Sequence, residues 1–129
     1  MFAVECSDTA CGLIRANREK FCVWNLRVIE GRAPQALEAL PPPDGVFIGG
    51  TKGGMAEIVD LALRRNGNAR ICVSAIAVET LSAAVTVLTR HGLEASVTQI
   101  AVSRTRPAGG LHLLLANNPT FLIAGNCHA

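Results

Sequence analysis

The sequence predicts an α/β fold, a mostly parallel sheet covered by helices and ending in an antiparallel hairpin. Two observations predict it. Short apolar runs of strand character alternate with segments of helical periodicity in the order β, α, β, β, α, β, α. The last third of the chain keeps strand character with no long helix between its parts. The alternation argues for parallel strands joined by right-handed crossovers, and the C-terminal part for a closing hairpin.

Phe2 to Glu5 (FAVE) is a short apolar run closed by an acid. In CSDTACGLIRANREKFCV, Ser7 or Asp8 is placed to cap a helix, and Cys11, Leu13, Ile14 and Phe21 can share its apolar face, although Gly12 weakens it. Asn25 to Glu30 (NLRVIE) reads as a second strand, with GRAP as the loop after it. PPPD then breaks the chain before Gly45 to Ile48 (GVFI), an unbroken apolar run suited to a strand buried on both faces.

GGTKGG turns into MAEIVDLALRRNG, where Met55, Ile58, Val59, Ala62 and Leu63 recur at helical spacing and Gly67 supplies the stop. ARICVSAI is the next buried strand, and VETLSAAVTVLTRHG is a further helix ending at a glycine. LEASVTQIAVSR and PTFLIAGN, connected through TRPAGGLHLLLANN, end the sheet as the antiparallel pair. No internal repeat or low-complexity segment interrupts this order.

Composition narrows the function. With 129 residues, 50% hydrophobic and 17% charged, the chain closes one core, which predicts a single domain over residues 1–129. The net charge of +2 is scattered, aromatics are 4% and tyrosine is absent, which argues against a nucleic-acid partner needing clustered cations or stacking platforms. Five cysteines, Cys6, Cys11, Cys22, Cys72 and Cys127, form no C-x-x-C pair and read as incidental thiols of a reducing compartment. No basic n-region with an apolar stretch opens the chain and no apolar run reaches a membrane span, so a cytoplasmic protein is expected.

Glu5 closes the first strand, at the edge where doubly wound sheets bind ligands and where a carboxylate can accept both hydroxyls of a ribose. The GRAP loop and the glycine pair after GVFI fall on the same carboxyl edge. GGTKGG is not a Walker A loop, whose lysine must directly follow the second glycine and precede Ser or Thr. It reads either as a turn allowing close backbone approach to a ligand or as a linker into the helix. Arg104, Arg106 and His112 gather positive charge around a glycine-rich bend, suited to clamping carboxylates or simply solvated. His91, beside a helix-terminal glycine, and His128, in the tail, are set aside. No Ser, His and Asp set and no metal-ligand spacing points to a hydrolase.

FAVE, VIEGRAP, PPPDGVFIGG, ETL, VSRTRPAGGLH and NNPTFLIAG, in this order and spacing, resemble the decarboxylating precorrin-6Y C5,15-methyltransferase family, class I S-adenosylmethionine-dependent enzymes of cobalamin synthesis. The resemblance implies a Rossmann-like fold, S-adenosylmethionine as cofactor, and methylation of precorrin ring carbons with loss of an acetate carboxyl. It implies that Glu5 holds the ribose, that Gly31, Arg32 and Ala33 border the adenine, and that Gly49 and Gly50 line the methionine and methyl end. Arg104 and Arg106 are implied to face the carboxylates of the tetrapyrrole substrate. Ser74 departs from the family, standing where an asparagine is expected after the fourth strand.

Family members also carry a first strand and a glycine-rich loop ahead of the segment that FAVE matches, whereas here Met1 adjoins FAVE directly. The expectation is therefore a truncated fold with impaired activity, arising from a late-assigned start, a split remnant, or a partner polypeptide that supplies the segment. The resemblance further leads us to expect a homo-oligomer built through the hairpin. The FAVE strand is expected to pair directly with GVFI or with a neighbouring chain, or else the unit up to about Pro43 is expected to be poorly ordered. A rival reading is a non-catalytic interaction or scaffold module; another nucleotide-binding α/β protein is a third.

Overall fold

The computed structural model describes residues 1–50 and 53–126. Thr51, Lys52, Cys127 and His128 lie outside the described residues, and with them the centre of GGTKGG and the tail histidine. The chain divides into two compact units, Met1–Pro42 and Pro43–Ala129.

The first unit runs β1 (Phe2–Glu5), α1 (Asp8–Lys20), β2 (Arg27–Glu30) and a single 3-10 turn (Gln35–Leu37). The two strands pair in parallel, with Phe2 opposite Arg27 and Glu5 opposite Glu30. Ser7 caps α1 by accepting from the Ala10 amide at 3.4 Å, as its short hydroxyl side chain predicts. Of the expected apolar face, Cys11 is buried and Ile14 half-buried. Leu13 and Phe21, however, are 62% and 65% exposed. Two residues beyond Cys11 and one before Ile14, Leu13 stands about 100° from Ile14 around the helix and off the stripe that meets the strands.

The second unit runs β3 (Gly45–Ile48), α2 (Met55–Arg65), β4 (Arg70–Ala75), α3 (Val78–Arg90), β5 (Glu94–Ile100), β6 (Ser103–Ala108), β7 (Leu111–Ala116) and β8 (Thr120–Asn126). Its four-stranded sheet has the order β3-β4-β8-β5. β3 and β4 are parallel, while β8 lies antiparallel between β4 and β5. The parallel character thus belongs to the first four strands, and the expected antiparallel end is the β5–β8 pair. What read as one strand from Leu93 to Arg104 divides into β5 and β6, and β6 pairs with β7 as a separate two-stranded ribbon. Gly109 and Gly110, at φ +55° and +81°, form its two-residue turn. Two successive positive φ values match the twist of a hairpin of right-twisted strands and require glycine-like freedom.

The core of this unit is a stripe of alternating residues. Ile71, Val73 and Ala75 of β4 and Ile123 of β8 are buried together with Ile58, Val59 and Ala62 of α2 and Ala84, Val87 and Leu88 of α3. Burying such side chains stabilises by roughly 1.5–3 kcal/mol each. β3 departs from the expectation of burial on both faces: Ile48 is buried, but Phe47 is 67% exposed. Its period-2 alternation sets Ile48 beside Val73 in the buried row and Phe47 beside Cys72 on the opposite face. The stop of α2 is made by Asn66, not by Gly67 in a left-handed conformation: Asn66 is the C-cap, and its Nδ2 donates to the Pro43 carbonyl at 2.9 Å. α3 does end as expected, with Gly92 at φ +73° and the Leu93 amide donating back to the Leu88 carbonyl.

Direct pairing of FAVE with GVFI does not form. β1 bonds to β2, and β3 bonds to β4, in separate sheets. β1 and β3 each find their one partner inside their own compact unit.

Candidate functional site

Glu5 ends β1, and the chain turns directly into α1. One carboxylate oxygen, Oε1, accepts from the backbone amides of Cys6 and Ser7 at 2.8 Å each. Two such charge-assisted bonds hold the half-buried carboxylate at the carboxyl edge of the strand. The Glu5 carbonyl is engaged as well, accepting from the Gly31 amide at 2.9 Å and from the Cys11 thiol at 3.4 Å. Burial, with Glu30 adding to it, pushes the Cys11 thiol up from its ordinary value, so this sulfur is a structural donor and a poor nucleophile.

Gly31 follows β2 at φ +152°, and a Cβ built on it would stand 2.9 Å from the Ala36 Cβ. Only glycine suits both the backbone and the space. Beyond it, Arg32 is exposed and Ala33 half-buried, and the Ala36 amide donates to the Arg32 carbonyl at 2.9 Å to fold the GRAP loop back into the 3-10 turn. Glu5, Gly31, Arg32 and Ala33 therefore share one carboxyl edge. Glu30, the partner of Glu5 in the ladder, pairs with Arg15 of α1. That cation offsets the repulsion two opposed carboxylates would otherwise suffer.

In the second unit, Gly49 and Gly50 follow β3 at the carboxyl edge of its parallel pair, and a Cβ on either meets nothing within 4 Å. The positive φ values expected of this turn belong to Gly53 and Gly54, at +96° and +80°, and Gly54 caps α2 without a side-chain bond. Ser74, near the end of β4, is half-buried.

Arg104, expected at the end of a strand, and Arg106, expected in the connecting segment, both occupy β6, because the Gly109–Gly110 turn lets TRPA and LHLL pair. Arg104 stands opposite Leu115 and Arg106 opposite Leu113, so both cations share one ribbon face with these leucines. His112 pairs across from Pro107, on the other face. All are exposed.

Sequence reasoning missed the Arg15–Glu30 pair, the Cys11 thiol bond, and a cluster on α2 and α3 in which Asp60 Oδ1 meets His91 Nε2 at 2.6 Å and an Arg90 guanidinium nitrogen at 2.9 Å. The ion-pair partners lie 15 to 31 positions apart and the thiol's acceptor six, and spacing carries no signal for them; only the Arg90–His91 adjacency at a helix end hinted at the last. Among the described residues no group of three His, Cys, Asp or Glu could hold a metal ion, and no helix is long and apolar enough to cross a membrane.

Strands alternating with helices, as each of the two units shows, are the arrangement of the class I methyltransferase fold. The chain superimposes on an S-adenosylmethionine-dependent O-methyltransferase of Thermotoga maritima with a TM-score of 0.70 at 13% identity, a likeness of fold alone. The crystal structure of a precorrin-6Y C5,15-methyltransferase from Geobacter metallireducens is nearer, with a TM-score of 0.88 and 35% identity over 98% of this chain and 67% of that one. The profile of the precorrin methyltransferase domain matches residues 1–124, and the chain belongs to that family. It is 35% identical over 124 residues to a probable cobalt-precorrin-6B C(15)-methyltransferase (decarboxylating) of Pyrobaculum calidifontis. That match covers 95% of this chain and 64% of the Pyrobaculum protein, so the chain spans less than two thirds of this relative's length.

Proposed function

We propose that the chain takes part in the S-adenosylmethionine-dependent methylation and decarboxylation of a precorrin in corrin synthesis, in the cytoplasm. The observation that carries this reading is the Glu5–Gly31 bond, which brings together two residues assigned to the cofactor from opposite strands.

The residues fit that cofactor. The Glu5 carboxylate would accept the ribose hydroxyls, Gly31, Arg32 and Ala33 would border the adenine, and the uncrowded Gly49 and Gly50 would let the backbone approach the methionine end. When bound, S-adenosylmethionine supplies an electrophilic sulfonium methyl. The protein's part is orientation: Glu5, fixed by the Cys6 and Ser7 amides, holds its carboxylate in one place before any ligand arrives. Arg104 and Arg106, two cations on one ribbon face, would pair with the acetate and propionate groups of a tetrapyrrole.

Micromolar binding needs about 8 kcal/mol, whereas each hydrogen bond to a charged group contributes about 1.5–3 kcal/mol. Glu5 and the loop amides supply a fraction of that. Incubation with precorrin-6Y and methyl-labelled S-adenosylmethionine tests the reading: label transfer to the tetrapyrrole with release of carbon dioxide is expected, and transfer to another class of acceptor would overturn it.

The hairpin favours a second reading, an interaction module. Leu111, Leu113, Leu114 and Leu115 are 45–73% exposed on a two-stranded ribbon, a structure marginal by itself in water. We propose that a second copy of the chain covers it. Sedimentation should show a dimer or higher assembly that Leu113→Ser with Leu115→Ser dissociates; a monomer in the unsubstituted chain overturns this part.

A further inference from the structure

Ile76 and Ala77 join β4 to α3 and, with Val78 at the start of the helix, make three consecutive apolar residues, of which Ile76 and Val78 are 61% and 70% exposed. Neither contributes to the core, whose last member on this strand is Ala75. Helix capping does not account for the segment either. Ala77 occupies the N-cap of α3 and makes no side-chain bond, at a position where Ser, Thr, Asp or Asn would satisfy an amide. The local composition therefore runs against what a loop and a helix start prefer, the pattern expected where a surface serves a ligand.

Its place in the sheet says which ligand. Ile48 is registered with Val73. Carrying that parallel register forward sets Gly49 level with Ser74 and Gly50 level with Ala75, so Ile76 stands one residue past the glycine pair on the same carboxyl edge. Two β-branched side chains with little rotamer freedom make a stiff apolar lip there, uncharged until Glu79 opens the first turn of α3.

We propose that Ile76 and Val78 are specificity-determining residues that seat the apolar face of the tetrapyrrole ring beside the Gly49–Gly50 edge. The inference rests on the reading that the substrate is a tetrapyrrole, and it adds an apolar contact to the carboxylate contacts already assigned to Arg104 and Arg106. The division follows the chemistry of such a substrate, whose rim is charged and whose ring face is not.

Fluorescence titration of the 129-residue chain with uroporphyrin, a porphyrin bearing acetate and propionate groups, tests it. Ile76→Ser with Val78→Ser should weaken porphyrin binding by about tenfold or more, the loss expected when two aliphatic contacts are removed. Ile76→Val with Val78→Ile should retain binding. Because both side chains are exposed, the thermal midpoint of the serine variant should match the parent. Unchanged porphyrin affinity in a folded serine variant overturns the inference while leaving the tetrapyrrole reading intact. Failure of the unsubstituted chain to bind the porphyrin at all overturns the tetrapyrrole reading and the inference with it.

Discussion

The backbone amide of Gly31 donates to the carbonyl of Glu5 at 2.9 Å, tying the loop after β2 to the end of β1. The bond fixes the spacing between the Glu5 carboxylate and the GRAP loop, to which we assign the ribose and the adenine, and it depends on a backbone that glycine alone adopts comfortably.

Gly31→Ala should therefore destabilise the chain by about 1–3 kcal/mol, from the strained φ and the added contact. A second change, Ala36→Gly, removes the atom 2.9 Å from the new Cβ but leaves φ at +152°. Urea unfolding should show the double variant recovering only part of the loss; full recovery would mean the backbone conformation costs nothing.

The Asp60 cluster predicts a pH dependence. The hydrogen bond from His91, helped by Arg90, holds the Asp60 carboxyl below its ordinary value of 3.8. A carboxyl depressed in the folded state contributes stability above its unfolded pKa and loses it as pH falls through the folded one. Asp60→Asn should thus destabilise at pH 7 and converge with the parent in acid, once the pH has fallen through the lowered pKa of the folded carboxyl. The pair is partly exposed, and about 0.2–1 kcal/mol is the expected size, shrinking with added salt. Denaturant midpoints across pH would reveal a constant difference if Asp60 acts by packing instead.

Gly125 of β8 lies under α3, and a Cβ there would meet Leu88 Cδ2 at 2.7 Å and Leu93 Cδ1 at 3.0 Å. Gly125→Ala should cost about 1–3 kcal/mol through overpacking. Trimming Leu88 to alanine as well would open a cavity but relieve the clash, so the two losses should be less than additive. Additive losses would place the cost of Gly125→Ala in the backbone.

For Arg104 and Arg106, alanine at both positions should weaken binding of a carboxylated tetrapyrrole by about tenfold or more while S-adenosylmethionine binding stays unchanged. Equal tetrapyrrole affinity would return both to a solvated ribbon face.

Much of this arrangement is legible in the residues. Ser7 as a cap, the buried spacing of Met55, Ile58, Val59 and Ala62, and the placement of Glu5 and the GRAP loop on one edge all follow from local chemistry that pattern reading captures. The failures share a cause. The exposure of Phe47 and Phe21 depends on which face neighbouring elements cover, and the break between β5 and β6 depends on where a partner strand ends. Neither quantity is written in the spacing of apolar residues. The Arg15–Glu30 and Asp60–His91 pairs are likewise tertiary facts, invisible until helices are packed.

The central claim, that the carboxyl edge bearing Glu5 and Gly31 receives the cofactor, is tested most directly by amide NMR of the 129-residue chain titrated with S-adenosylmethionine into the millimolar range. Saturable shift changes concentrated at Cys6, Ser7, Gly31, Arg32 and Ala33, and abolished by Glu5→Ala, are the expected result. Saturable shifts centred elsewhere, or none at those amides, would contradict it.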